Sequence, residues 1–108
     1  MASVDFSYLE SYTANDRQII VEVLGLFQGQ AELWAEQLAD PGTDWRDLAH
    51  TIKGAARGIG ATALGDVADL VEQGEADRVP ALKAALDEAL GDIAAYLGVP
   101  QGTSTASV

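Results

Sequence analysis

Residues 43–60 read TDWRDLAHTIKGAARGIG, and apolar or small residues recur in this stretch at intervals of three and four. That spacing puts them on one side of an α-helix. The residues on this side are Trp45, Leu48, Ala49, Ile52, Ala55, Ala56 and Ile59. Thr43 is a suitable N-cap, and Gly58 and Gly60 weaken the end of the segment. The pattern predicts an amphipathic helix of about four turns.

The segment before this helix has the same periodicity over residues 16–39. Its predicted core stripe consists of Ile19, Val23, Phe27, Trp34 and Leu38. Asn15 or Thr13 serves as the expected N-cap, and Pro41 with Gly42 ends the helix. A long amphipathic helix is therefore expected to precede the helix predicted within residues 43–60.

Two further helices are predicted after residue 60. One has Thr62 as its cap and Gly74 near its end, and the next begins near Pro80. The inward residues are Leu64, Val67, Ala68 and Val71 in the former and Leu82, Leu86, Leu90, Ile93 and Leu97 in the latter. Both helices are amphipathic, and the links between the predicted helices are short.

Short links favour antiparallel neighbours, so the sequence predicts an all-α fold, an antiparallel up-and-down four-helix bundle. Residues 4–13, with Phe6 and Leu9, are expected to add a short N-terminal helix. The chain has 108 residues and is 48% hydrophobic, which is enough for one domain over residues 1–98. Residues 99–108 have no periodicity and are expected to form a flexible tail.

The charge of the chain limits its partners. Six Lys and Arg residues against 17 Asp and Glu residues give a net charge of −11. This excess disfavours nucleic acid and anionic membranes as partners and favours a basic protein surface. The chain has no cysteine, which excludes disulfides and thiolate chemistry. No secretory signal and no membrane-spanning segment is recognisable, so we expect a cytoplasmic protein.

His50, the one histidine of the chain, lies in the middle of the segment 43–60. Its neighbours on the helix surface, none of them apolar, are Arg46, Asp47, Lys53, Gly54 and Arg57. A two-residue step turns a helix by about 200°, so Leu48 and Ile52 face the other way. His50 is therefore predicted to face solvent.

Two features around His50 favour a reactive side chain. The alternatives are that Gly54 permits close helix packing and that the bases only offset the acidity of the chain or pair with nearby acids. Glycine is unfavourable inside a helix, and Gly54 leaves the flank of the imidazole open to a large partner. The window 46–65 has three bases and one acid, so it carries +2 and the rest of the chain −13. A neutral imidazole nitrogen can attack phosphorus, and Lys53 and Arg57 could offset the charge of the phosphoryl group.

The run His50-Thr51-Ile52-Lys53-Gly54-Ala55-Ala56-Arg57-Gly58-Ile59-Gly60 resembles the signature of histidine-containing phosphotransfer domains, His-x-Leu-Lys-Gly followed by small residues and an aliphatic-Gly pair. Ile52 replaces the usual leucine, and Ala55 stands where serine is frequent. The resemblance implies that His50 is phosphorylated, that Lys53 balances the charge and that Gly54 provides clearance. It also implies a relay of phosphoryl groups between aspartates of receiver domains, those of hybrid histidine kinases and of response regulators.

Members of the family often orient the imidazole through a polar residue of an adjacent helix. The resemblance does not identify that residue in this sequence. Asp47 is within reach of His50 but has little support for this role. The remaining acids, such as Asp66, Asp69, Glu72 and Glu75, are interpreted as solvating residues.

The carrier is expected to need no cofactor and no metal, since Mg²⁺ would be bound by the partner receiver domain. A di-iron bundle requires more than one histidine. The Gly-x-Gly of residues 58–60 follows a helix and lacks the Gly-Lys-Ser/Thr of a phosphate-binding loop, so no autokinase activity is expected. We expect a free-standing monomer. The alternatives are a noncatalytic helical adaptor and a phosphoacceptor module of the chemotaxis-kinase type.

Overall fold

The computed structural model describes residues 4–98, and within them the chain is helical, with no β-strand. The elements are α1 (Phe6–Tyr12), α2 (Arg17–Ala39), α3 (Trp45–Ile59), α4 (Thr62–Glu72) and α5 (Val79–Leu97), with a 3₁₀ turn at Ala76–Arg78 between α4 and α5. The predicted all-α fold with its short N-terminal helix is confirmed. The tail predicted for residues 99–108 lies outside the described residues. No helix among residues 4–98 is both long enough and apolar enough to cross a bilayer.

Aspartates, rather than the predicted residues, cap the first three helices. Asp16 accepts hydrogen bonds from the backbone N–H groups at the start of α2, and Asp44 does the same for α3. Predicting Asn15 or Thr13 as the cap of α2 was therefore wrong, as was Thr43 for α3. Asn15 has a left-handed backbone with φ of 61°, whereas an N-cap needs an extended one. Thr62 is the first residue of α4 rather than its cap.

Helices α3 and α4 form an antiparallel hairpin joined by Gly60 and Ala61. Contacts between the two helices pair residue 50 with 72, 53 with 69 and 57 with 65, and each pair is centred on residue 61. Helix α4 also packs on α5, and α2 packs on both α3 and α5. These contacts close the predicted bundle around one core.

The core side of α2 differs from the predicted stripe. Ile20 and Leu24 are buried, whereas Ile19 is 43% exposed and Val23 is half-buried. The α2 sequence has apolar residues next to each other at 19–20 and 23–24, so periodicity alone fits two faces. The buried residues of α2 are Ile20, Leu24, Phe27, Ala31 and Trp34. The predicted positions Phe27 and Trp34 are thus confirmed, and half-buried Leu38 lies at the edge.

The predicted inward residues of the other helices are largely confirmed. Leu64, Ala68, Val71, Leu82, Leu86 and Ile93 are buried. Val67, Leu90 and Leu97 are half-buried and pack against the same core. The four main helices therefore share one apolar interior.

Helix α1 fastens the α3–α4 hairpin to the rest of the bundle. The backbone N–H of Asp5 donates to the carbonyl of Gly60 at 2.8 Å. On the other side of α1, the Tyr96 hydroxyl donates to Glu10 at 2.7 Å, and Phe6 stacks on the Tyr96 ring at 4.1 Å between centroids. Leu9 is buried beneath the helix. The N-terminal segment thus fixes the turn that sets the register of α3 and α4.

Substitution of Gly60 by alanine is expected to destabilise the fold by about 2 kcal/mol or more, because a left-handed residue with a Cβ is strained and the Cβ also meets backbone. Gly60 has φ of 84°, and its Cβ would lie 2.5 Å from the Asp5 carbonyl oxygen. Gly98 is the matched control, since its φ is 78° but nothing lies within 4 Å of its Cβ position. Urea unfolding of both variants measures the difference. Equal stabilities of Gly60→Ala and Gly98→Ala would contradict the close approach of α1.

Candidate functional site

His50 projects from the middle of α3 into solvent, and its side chain is 66% exposed. The prediction that it faces away from the core is confirmed. Its Nδ1 atom lies 2.7 Å from Oε2 of Glu72, the last residue of α4. The imidazole is thus open to a partner on one side and fixed by a carboxylate on the other.

The second oxygen of Glu72 is bound to a lysine. Its Oε1 lies 2.6 Å from Lys53 Nζ, which is itself 3.2 Å from Oδ1 of Asp69. The Gln73 amide donates to the other oxygen of Asp69 at 2.8 Å. His50, Lys53, Asp69, Glu72 and Gln73 therefore form one connected network, which we call the α3–α4 polar network.

The α3–α4 polar network keeps both Glu72 and Lys53 charged at neutral pH. The hydrogen bond from Lys53 lowers the pKa of Glu72, assisted by that from His50 and opposed by partial burial. In return, the hydrogen bonds to Glu72 and Asp69 raise the pKa of Lys53. Glu72 therefore remains a carboxylate until the pH falls below its ordinary range.

An ionised carboxylate can only accept hydrogen bonds, so in the neutral imidazole Nδ1 must carry the proton and donate to Glu72. The lone pair of the ring is then on Nε2, the nitrogen that makes no contact with Glu72. This arrangement fixes both the tautomer and the direction of the ring. Chemically, it presents a nucleophilic nitrogen at the surface.

Sequence reasoning missed the residue that orients the imidazole. The candidate from the sequence, Asp47, lies on the other flank of α3, where it lines a groove toward α2. Asp69 and Glu72 were interpreted as solvating acids, and this interpretation was wrong for both. The usable signal was the hairpin itself, because an antiparallel pair linked by two residues at 60–61 brings residue 72 opposite residue 50.

The three bases near His50 in the sequence, Arg46, Lys53 and Arg57, do not form one patch. Lys53 lies inside the α3–α4 polar network, and Arg46 donates through Nε to the backbone carbonyl of Glu72 at 3.4 Å. Arg57 instead runs along Gly65 of α4, where its Cγ would be 3.1 Å from an added Cβ. It lines a small cavity near α1 together with Asp5 and Tyr8. Lys53 and Arg46 are therefore close to Glu72, and Arg57 lies about one turn beyond Lys53 on α3.

The flank of His50 toward α2 is open. Nothing lies within 4 Å of the position of a Cβ on Gly54 or on Gly58. Beyond these glycines, α2 and α3 enclose an apolar groove of about 410 Å³. We call it the α2–α3 groove, and it is lined by Val23, Leu26, Phe27, Gln30, Trp34, Thr51, Ala55 and Ile59. Leu26, at its rim, is 72% exposed.

The comparisons with known proteins agree with this geometry. The family model described as the Hpt domain matches residues 20–103. A crystal structure of the histidine phosphotransferase ShpA from Caulobacter crescentus is 49% identical in sequence, with a TM-score of 0.81. The similarity covers 90% of this chain and 92% of that one. No curated protein matches the chain.

Replacement of Glu72 by alanine is expected to remove the fixed tautomer of His50, because the acceptor that holds the proton on Nδ1 is lost. Two-bond ¹H–¹⁵N NMR correlations of the imidazole at neutral pH report the tautomer directly. Asp47→Ala is the control, and we expect it to leave the imidazole signals of the parent unchanged. If Glu72→Ala left the tautomer as it is in the parent, the orienting role of Glu72 would be wrong.

Proposed function

The chain belongs to the Hpt domain family, and we propose that it relays phosphoryl groups in a phosphorelay, with His50 taking each group from an aspartate of one receiver domain and passing it to an aspartate of another. The observation that carries this proposal is the contact of Nδ1 with Glu72 in a side chain that is otherwise exposed. With Nδ1 bound to Glu72, Nε2 is the nitrogen that would attack phosphorus. The similarity to a structure titled as a histidine phosphotransferase supports the same activity.

The chemistry needs no proton transfer. In the first step the Nε2 lone pair forms a bond to phosphorus while the bond from phosphorus to the aspartyl oxygen breaks, and the aspartate leaves with that electron pair. The ring now carries phosphorus on Nε2 and a proton on Nδ1, so it is an imidazolium that faces the Glu72 carboxylate. In the second step a receiver carboxylate attacks phosphorus, and the nitrogen recovers its electron pair.

The division of work between carrier and receiver follows from this chemistry. Phosphoryl transfer depends on in-line positioning and on cations at the phosphoryl oxygens. We propose that the receiver contributes the Mg²⁺ and that the carrier itself requires no cofactor. His50 then supplies the nucleophile, Glu72 the orientation and Lys53 positive charge, with Arg46 and Arg57 at greater distance. Such a phosphocarrier has no autokinase activity of its own.

We propose that the receiver docks over Gly54 and onto the α2–α3 groove. The two open glycines lie between His50 and that groove, so a partner can approach the imidazole while its apolar side chains reach Val23, Leu26 and Ala55. The chain would act in the cytoplasm as a monomer through residues 1–98, since a single docking face around a single histidine serves donor and acceptor in turn.

Incubation with a phosphorylated receiver domain is expected to label His50 with an acid-labile, base-stable phosphoryl group. His50→Gln should abolish the label, because the amide has no nucleophilic nitrogen, and the variant should fold because residue 50 is exposed. Gel autoradiography and circular dichroism check both points. Persistent label on His50→Gln would overturn the assignment, and failure of every receiver of the source organism would favour a noncatalytic adaptor.

Gly54→Leu is expected to slow transfer at least tenfold while leaving the helix as stable as before or more stable, because leucine favours helices by about 0.8 kcal/mol over glycine. Its side chain would stand between His50 and the α2–α3 groove and keep the receiver from docking. Gly25→Leu is the matched control, since Gly25 is also open but lies on α2 outside the groove. Transfer rates and thermal unfolding of both variants are compared. Parent-like transfer by Gly54→Leu would refute the clearance role.

A further inference from the structure

We propose, on the basis of the phosphotransfer function above, that Asp69 is a positioning residue that competes with the phosphoryl group for Lys53. This competition would make phosphorylated His50 less stable and so favour transfer of its phosphoryl group to a receiver. The α3–α4 polar network supplies the geometry. Asp69 Oδ1 lies 3.2 Å from Lys53 Nζ, and the Gln73 amide donates to the other oxygen of Asp69. Asp69 therefore acts on His50 only through the lysine.

The charges of the α3–α4 polar network carry the first step of the inference. With a neutral imidazole, the network contains one cation, Lys53, and two anions, Asp69 and Glu72. The lysine is more than balanced before any phosphoryl group arrives. Its side chain is 20% exposed, so it is held down between α3 and α4 rather than extended toward solvent.

The arrival of a phosphoryl group changes the balance. It brings about two negative charges at neutral pH. Lys53 is one turn from His50 on α3, and a movement of its ammonium toward the phosphoryl oxygens would lengthen its contact with Asp69 or with Glu72. Glu72 is needed at Nδ1, where it faces the imidazolium. Asp69 is thus the separable competitor, because it restrains the lysine without touching the ring.

The consequence concerns equilibrium rather than the chemical step. A lysine free to bind the phosphoryl group would stabilise phosphohistidine relative to the receiver's aspartyl phosphate. A carrier that held the group strongly would retain it instead of passing it on. Asp69 reduces that stabilisation, and so brings the two phosphorylated states closer in free energy.

The experiment compares Asp69→Asn with Asp66→Asn in the full chain. Asp66 is an exposed acid one turn earlier on α4, so both variants lose one negative charge from the same helix. His50 is phosphorylated directly with phosphoramidate, and ³¹P NMR follows the second pKa of the phosphoryl group. We expect this pKa to fall in Asp69→Asn relative to the parent and to Asp66→Asn, because a released Lys53 favours the dianion.

A second arm measures the equilibrium of phosphoryl exchange with one receiver domain. Asp69→Asn should shift it toward phosphorylated His50 by about two- to fivefold, the range expected when one surface ion pair changes. In a Lys53→Met background the same substitution should have no effect, which a double-mutant cycle detects. The imidazole tautomer should stay unchanged in Asp69→Asn, because Glu72 is intact.

The outcomes are distinct. Equal phosphoryl pKa values in Asp69→Asn and Asp66→Asn, or an Asp69 effect that persists without Lys53, would overturn the inference while leaving the relay function intact. If no receiver exchanged phosphate with His50, the relay function would fail, but the phosphoramidate arm would still decide whether Asp69 competes for the lysine.

Discussion

The antiparallel pairing of α3 and α4 is the constraint on which the site depends. The two helices are joined by Gly60 and Ala61 alone, and the left-handed backbone of Gly60 ends α3 so that α4 can return along it. This link sets which residues face each other, and it puts Glu72 beside His50 and Asp69 beside Lys53. A shift by one residue would turn these carboxylates by about 100° around α4. The contact of Asp5 with Gly60 holds the link in place. The segment before α1 therefore helps to keep Glu72 beside His50.

The α3–α4 polar network orients an exposed side chain without burying it. A partner must reach the imidazole, so the ring cannot be fixed by burial, and an exposed side chain ordinarily samples several rotamers. Here one strong hydrogen bond to a charged acceptor restricts the ring, and the acceptor is itself restrained. Glu72 is held by Lys53, Lys53 by Asp69 and Asp69 by Gln73. The half-buried lysine thus restrains Glu72, and Glu72 restrains the exposed imidazole. Nε2 remains free of contacts with the network.

Sequence reasoning was sufficient for the fold and for the exposure of His50, and insufficient for the contacts that surround His50. The helices were predictable because each has apolar residues at helical spacing and is bounded by turn residues, and the exposure of His50 followed from its angular distance to Leu48 and Ile52. The errors arose where two residues compete for one role. On α2, the adjacent apolar residues at 19–20 and 23–24 are compatible with two different buried faces. Before α3, Thr43 and Asp44 are both suitable N-caps, and the structure uses Asp44. Glu72 was out of reach for a different reason, since it is 22 positions from His50 and becomes its neighbour only through the register of the hairpin.

The two flanks of α3 differ in character, since one is charged and the other is apolar. Lys53 and Arg46 point toward α4, where the partners are charged, whereas Thr51 and Ala55 point toward α2, where the groove is apolar. His50 lies on the ridge between them, because helical geometry puts residues three before and three after it on opposite flanks. Under the proposed docking mode, changes on the α4 flank should alter the state of the imidazole, and changes on the α2 flank should alter the binding of a receiver. Such a separation would let the proposed docking surface vary without disturbing Nε2, the nitrogen that we propose accepts and gives up the phosphoryl group.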